Sequence, residues 1–278
     1  MHVRLSLAPL VALSLAGLLS GAQARDLPKW ELGLGLADVS LPDYRGSDER
    51  RQFVVPTPYL VYRGDTVKAD REGTRAQLWS VGDAHLDIYL GGSLPVSSSR
   101  NQARTGMAPL QSVLDIGPAL DIKLSESADE RRLIKLRVPA FYGLTLSSPR
   151  RGLGWQSNPA IHVYDRDVMG WSGWNSSVAT GPMFATGQRN AYLYNVKDSE
   201  ATPERPAYRS HGGYAGWMLS ASLSRRFEQF WVGAYARYEN LSNASYADSP
   251  MVRSRQYLAG GLAFIWVLGE SSERVSVD

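Results

Sequence analysis

Four histidines, His2, His85, His162 and His211, carry the widest catalytic repertoire in this chain. No two of them have metal-ligand spacing, and with no cysteine anywhere no thiolate can complete a metal site. A histidine and a serine two residues apart on one strand face would make a nucleophile pair. The residues two after His85, His162 and His211 are Asp87, Tyr164 and Gly213. No G-x-S-x-G nucleophile elbow is present. Asp115 and Asp121 share one face of an alternating segment with Lys123 beside them. Paired carboxylates can hydrolyse glycosides, but a salt-bridged wall is the simpler expectation. Arg63-Gly64-Asp65 reads as a hairpin turn, because Gly-Asp supplies the positive φ such a turn needs. Asn240-Leu241-Ser242 fits a glycan acceptor only in a eukaryotic secretory setting. The residues therefore nominate no catalytic group, no metal ligand and no cofactor.

The elements that carry these residues follow a period of two. Leu86, Ile88 and Leu90 alternate with His85, Asp87 and Tyr89; Leu114, Ile116, Pro118, Leu120 and Ile122 alternate with Asp115, Gly117, Ala119, Asp121 and Lys123. Phe230, Val232 and Ala234 alternate with Trp231, Gly233 and Tyr235. Each such stretch is about ten residues, the length of a tilted strand across a hydrocarbon core. In a sandwich the apolar faces would meet each other; in an outer-membrane barrel they meet lipid, and the polar faces line the lumen. Long, numerous strands with aromatics near their ends (Trp30, Tyr59, Trp79, Trp155, Trp174, Trp217, Trp231 and Trp266) favour the barrel and its girdle. The chain holds 26 Gly, 14 Tyr and 8 Trp among 278 residues, in keeping with β-structure. Thirty Lys and Arg against 27 Asp and Glu give a net charge of only +3, which argues against nucleic acid as a partner.

Residues 1–24 read as a secretory signal peptide: Arg4 at the start, an apolar run to Leu19, and Ala22-Gln23-Ala24 at the cleavage site. Residues 25–278 then form one barrel domain. Twelve strands are expected, at 30–38, 52–63, 66–79, 85–93, 112–124, 132–146, 154–166, 172–184, 191–195, 213–225, 229–239 and 256–268, with ten as the alternative. The fold class is thus an all-β, transmembrane, antiparallel up-and-down barrel. An even count puts both termini in the periplasm. The outer connections become 39–51, 80–84, 125–131, 167–171, 196–212 and 240–255; the inner ones become 64–65, 94–111, 147–153, 185–190 and 226–228. Segment 94–111 is long for an inner turn. Either the strand count slips before it, or it is a periplasmic or lumen-inserted feature.

Several segments resemble the MipA/OmpV family of outer-membrane proteins (MltA-interacting protein). They run from Pro42-Asp43-Tyr44-Arg45-Gly46-Ser47-Asp48, Pro58–Asp65 and Ala69–Gly73, through Ala103-Arg104-Thr105-Gly106-Met107 and Leu114–Pro118, to Tyr194-Asn195-Val196, Arg205-Pro206-Ala207-Tyr208, Gly212-Gly213-Tyr214, Asn240-Leu241 and Asp248-Ser249-Pro250. The resemblance implies an outer-membrane barrel in contact with lipid and without enzymatic activity. It also implies a scaffold that links a lytic transglycosylase to a bifunctional murein synthase, with a surface adhesin as an alternative; a narrow solute channel is the competing expectation for any such barrel. It supplies no catalytic residue. Facing the periplasm, segment 94–111 would offer Arg100, Arg104 and Met107 as partner contacts; folded into the lumen, it would plug the barrel. The chain departs from many barrels in ending on a polar tail, Gly269–Asp278, after the aromatic Phe264 and Trp266.

Overall fold

The structure, a computed structural model, describes residues 26–64, 67–70 and 73–276; the expected signal peptide lies outside them. The strands are β1 (Asp26–Pro28), β2 (Trp30–Pro42), β3 (Arg50–Arg63), β4 (Val67–Asp70), β5 (Gly73–Val81), β6 (Ala84–Ser93), β7 (Val113–Glu126), β8 (Arg132–Pro139), β9 (Phe141–Thr145), β10 (Gly152–Ser157), β11 (Ala160–Arg166), β12 (Trp174–Ala185), β13 (Gly213–Arg226), β14 (Phe230–Asn240), β15 (Gln256–Glu270) and β16 (Arg274–Ser276). The helix α1 spans Gly187–Tyr194. All pairings are antiparallel, and the large sheet closes on itself: β15 returns to β2, and β8 joins β7 to β11. No described helix is long and apolar enough to cross a membrane. The chain forms a closed β-barrel of the outer-membrane type.

Side-chain alternation decides which way each strand faces. In β2, Trp30, Leu32, Leu34 and Leu36 point outward, Leu36 being 54% exposed, while Glu31, Ala37 and Val39 are buried inside. Leu262 of β15 is 65% exposed on the same outer surface. A row of leucines cannot stay in water at this density; lipid is the solvent that suits it. The lumen is packed rather than empty. Ala37, Val39, Tyr59, Val61, Trp231, Ala263 and Ile265 form one inner apolar cluster. Of the aromatics expected in the girdle, Trp30, Trp79, Trp155, Trp217 and Trp266 do face outward. Tyr59 and Trp231 do not; they sit on the inward parity of β3 and β14 and belong to this cluster.

Two staves of the wall are broken. Pro139 ends β8 one residue before β9 begins, and Asn158-Pro159 separates β10 from β11. A proline cannot donate to the ladder, so the break falls where the pairing changes. Neighbouring strands leave room for the kinks: a Cβ at Gly117 would lie 1.9 Å from the Ala140 carbonyl oxygen, and one at Gly181 would lie 2.0 Å from that of Pro159. With each broken stave counted once, the described wall has twelve strands, the number expected.

That number arises from two compensating differences. Within 66–79 the described residues are not one crossing but two short antiparallel strands, β4 and β5, with Asp70 paired to Gly73. Segment 191–195 is not a strand but the last turn of α1 with its cap Asn195; Asn190 and Tyr194 of the helix are buried four residues apart, a helical rather than a strand spacing. Each difference reverses the side on which the later segments emerge. Segment 94–112 therefore lies with 43–49, 146–151, 186–212 and 241–255 at one end. Turns 82–83, 127–131, 167–173 and 227–229 lie at the other, with both described termini. There β1 pairs with β16, and Lys29 reaches Glu273 at 2.9 Å, so the polar tail folds back as a clasp. Short turns and termini mark the periplasmic end and long loops the outer end. Segment 94–111 thus falls among the outer loops, which is the strand-count slip that is one of the two alternatives for it; its place among the inner turns is corrected.

Candidate functional site at the outer end of the barrel

The long loops pack into a cap with its own apolar core. Tyr44, Val96, Met107, Leu110, Tyr194, Val196, Leu241, Tyr246 and Met251 are buried together, joined from the wall by Met183 and Met218. Loop backbones carry unpaired polar groups, so each loop is tied down by side chains. The Tyr44 hydroxyl donates to the Met251 carbonyl at 2.9 Å, Tyr194 to Arg45 at 3.1 Å and Tyr246 to Ala215 at 2.8 Å. The Tyr194 and Tyr246 rings stack with centroids 3.7 Å apart. Asn101 Nδ2 donates to Asp43 and to Ser47, fastening segment 94–112 to the loop after β2. Arg205 spans two loops: Nη1 donates to the Ala103 and Thr105 carbonyls at 2.9 and 2.8 Å, while Nε and Nη2 hold that of Glu200. Burial pushes the hydroxyls of Tyr44, Tyr194 and Tyr246 above the usual phenol range.

Segment 94–112 closes at its base through reciprocal bonds between Val96 and Leu110, each 2.9 Å. Between them lie two 3-10 turns, Ser98–Arg100 and Gln102–Arg104. The three residues nominated for partner contact part company here. Arg100 is exposed on the outer face. Arg104 is 4% exposed, donates to the Leu193 and Ala108 carbonyls at 3.2 Å and lies over the Tyr44 ring. Burial lowers its pKa. Met107 is 9% exposed in the cap core. Arg104 and Met107 hold the cap together.

Beneath the cap is a chamber of about 390 Å³. Its charged lining comes from Asp43, Arg45, Arg51, Asp115, Arg189, Arg237 and Glu239, and its tyrosines include Tyr44, Tyr192, Tyr235 and Tyr257. Arg51 pairs with Asp43, and Arg189 with Asp115 at 2.9 Å. Glu239, 1% exposed, takes both Arg45 at 3.2 Å and Arg237 at 2.6 Å, and accepts from the Tyr257 hydroxyl. Lower in the lumen Asp121 takes Arg137 at 2.6 Å and Tyr89 at 2.8 Å. Glu31 takes Arg63, Arg226 and Tyr59. The salt-bridged wall expected for Asp115 and Asp121 is present. Lys123 instead serves Asp83 and Glu126, both at 3.3 Å. His85 and His162 sit on the inward parity of β6 and β11; His162 stacks on Tyr164. His211 is exposed in an outer loop.

A family model described as MltA-interacting protein MipA matches residues 34–268. The chain belongs to the MipA family. Among its relatives is the outer membrane protein OmpV of Vibrio cholerae, 27% identical over 207 residues, which cover 72% of this chain and 73% of that protein. The outer membrane protein Omp26La of Vibrio anguillarum is 26% identical over the same length and shares. The outer membrane is the location of this MipA family barrel. Most of the segments that carried the family resemblance meet in the cap. Pro42–Asp48, Ala103–Met107, Tyr194–Val196, Arg205–Tyr208, Asn240-Leu241 and Asp248–Pro250 are scattered over some 200 residues of sequence and converge at one end. Glu239 and Tyr246 were not legible as partners. Only the fold shows that an acid at the end of β14 lies between two arginines.

Proposed function

We propose that this MipA family barrel is a non-enzymatic interaction protein of the outer membrane. It holds a lytic transglycosylase, and with it a bifunctional murein synthase, at its periplasmic end. The observation that carries the reading is the division of the two ends: the outer mouth is covered by a packed cap, while the periplasmic end offers a tied pair of termini and short, shaped turns. The family description, MltA-interacting protein, supports the partner class. The ion-paired carboxylates of the lumen support a structural role, because an acid pinned between arginines is a poor proton shuttle.

Segment 94–112 is at the wrong end for this partner. Turn 167–173 is at the right one. It presents Met169, 85% exposed, and Trp171. Asp167 and Met169 both hold positive φ, 51° and 54°, and the Asp167 carboxylate accepts from the Gly173 amide at 2.5 Å. A strained, fastened turn that exposes a methionine and a tryptophan has the character of a contact surface. The test is pull-down of the purified transglycosylase by the barrel in detergent. Met169→Ser with Trp171→Ser is expected to reduce capture at least tenfold, and Arg100→Ala to leave it unchanged. Undiminished capture by the double variant rejects this surface, and absence of capture by the parent barrel rejects the scaffold. Stepwise conductance in planar bilayers would favour the channel.

A further inference from the structure

The barrel wall has a notch. β3 pairs with β4 only at Tyr62 and Arg63, and β5 pairs with β6 only from Ala84 to Tyr89. Above those levels, among the described residues, β3 and the last residues of β6 have no strand neighbour on the facing edges. Where β4 and β5 still intervene, three strand spacings of about 4.8 Å put β3 and β6 about 14 Å apart.

The chemistry of the β3 edge fits an opening within the bilayer. The Arg63 amide donates to Lys29 on the β2 side. Strand alternation then aims the even-numbered amides of β3 at the notch. Two of those positions are Pro56 and Pro58, which have no N–H to leave unsatisfied. Both lie opposite outward-facing leucines of β2, Leu36 and Leu34, so the notch is at the depth of the lipid-facing surface. On the far rim Gly91, which shares the inward parity of Asp87 and Tyr89, presents no side chain to the lumen beside the notch, and a Cβ there would meet nothing within 4 Å.

The notch leads inward to the chamber. Arg51 and Phe53 of β3 and Gly92 and Ser93 of β6 line the same cavity from its two rims. The cavity also carries a surplus cation, since Arg45 and Arg237 share the single carboxylate of Glu239. We propose that the chamber is a lateral binding site for an anionic amphiphile of the surrounding leaflet. Its acidic headgroup pairs with the chamber arginines, and its acyl chain leaves through the notch past Val54. Open strand edges at membrane depth persist only where they border a cavity or a bound group, and such an amphiphile would cover this one. The inference does not depend on the periplasmic partner.

Purified full-length barrel in vesicles provides the test. Phosphatidic acid bearing a diazirine in its acyl chain is photolysed, and the adducts are mapped by mass spectrometry. Phosphatidylcholine with the same chain is the second arm. Adducts are expected at inward-facing Phe53 and Tyr235 as well as at outward Leu262. The inward adducts should be at least fivefold more abundant with phosphatidic acid. Gly91→Trp, which places an indole on the lumen side of the notch, should cut the inward adducts at least fivefold and leave Leu262 unchanged. Arg45→Gln should remove the preference for phosphatidic acid while retaining the barrel's heat-modifiable migration. Adducts confined to outward residues would overturn the proposal. So would inward adducts insensitive to Gly91→Trp, or an equal yield from the two lipids.

Discussion

β2 sends Leu32, Leu34 and Leu36 outward, whereas the loop after it sends Tyr44 inward to the Met251 carbonyl. The wall solves its burial problem with lipid outside and ion pairs inside. The cap has no lipid, so it buries its apolar groups against one another as a soluble domain does. Within one short chain, the same kind of side chain is thus placed by two different solvents. The difference teaches where a substitution will matter: an outward leucine of the wall is replaceable, and a buried residue of the cap is not.

The sharpest way to break the comparison is to remove Glu239, which sits where wall meets cap. Glu239→Ala leaves Arg45 and Arg237 without their shared acceptor, and breaking a buried ion pair from one side costs about 3–5 kcal/mol. Equilibrium unfolding in vesicles should show that loss. Next comes Met251→Ala, which empties a fully buried position in the cap core and should cost about 2–5 kcal/mol. Leu262→Ala, on the lipid face, should cost far less in the same assay. If the two costs are equal, cap and wall are not packed by different rules. Gly117→Ala, whose Cβ would meet the Ala140 carbonyl, should cost about 1–3 kcal/mol, whereas Gly91→Ala meets open space and should be close to neutral.

The wall was largely legible in the sequence and the cap was not, for a physical reason. A strand between lipid and a polar lumen must alternate, and alternation is visible in a single line of residues. β2, β3, β7, β13, β14 and β15 each coincide with an expected strand, give or take a few residues at the ends. The exceptions lie where something besides the two faces acts. The β4–β5 pair is too short to alternate over a full crossing, and α1 gains its place by packing Tyr194 on Tyr246 from a distant loop. The cap is held by Asn101 to Asp43, Arg205 to Ala103 and Ser249 to Tyr194, contacts between loops far apart in sequence. Nothing in the local pattern announces them. That blindness left the side of segment 94–111 open and hid the packing roles of Arg104 and Met107 in the cap.

A gentler perturbation separates the two regions by pH. Tyr44, Tyr194 and Tyr246 have folded pKa values raised by burial. Their contribution is complete below the ordinary phenol value of about 10 and is lost as pH rises from there toward the folded values, because the unfolded chain releases protons that the folded cap retains. Protease cleavage within loop 241–255 should therefore accelerate above pH ~10, with the heat-modifiable barrel still intact. Simultaneous loss of both would merge the two regions into one cooperative unit.

The placement of the two ends is tested most directly by single cysteines, which the parent chain lacks. Arg100→Cys and Met169→Cys are each made and exposed, on intact cells, to a maleimide that cannot cross the outer membrane. Rapid labelling is expected at position 100, and none at position 169 until the membrane is breached. Labelling at 169 with protection at 100 would invert the barrel, return segment 94–112 to the periplasm and contradict the assignment of the cap to the outer surface.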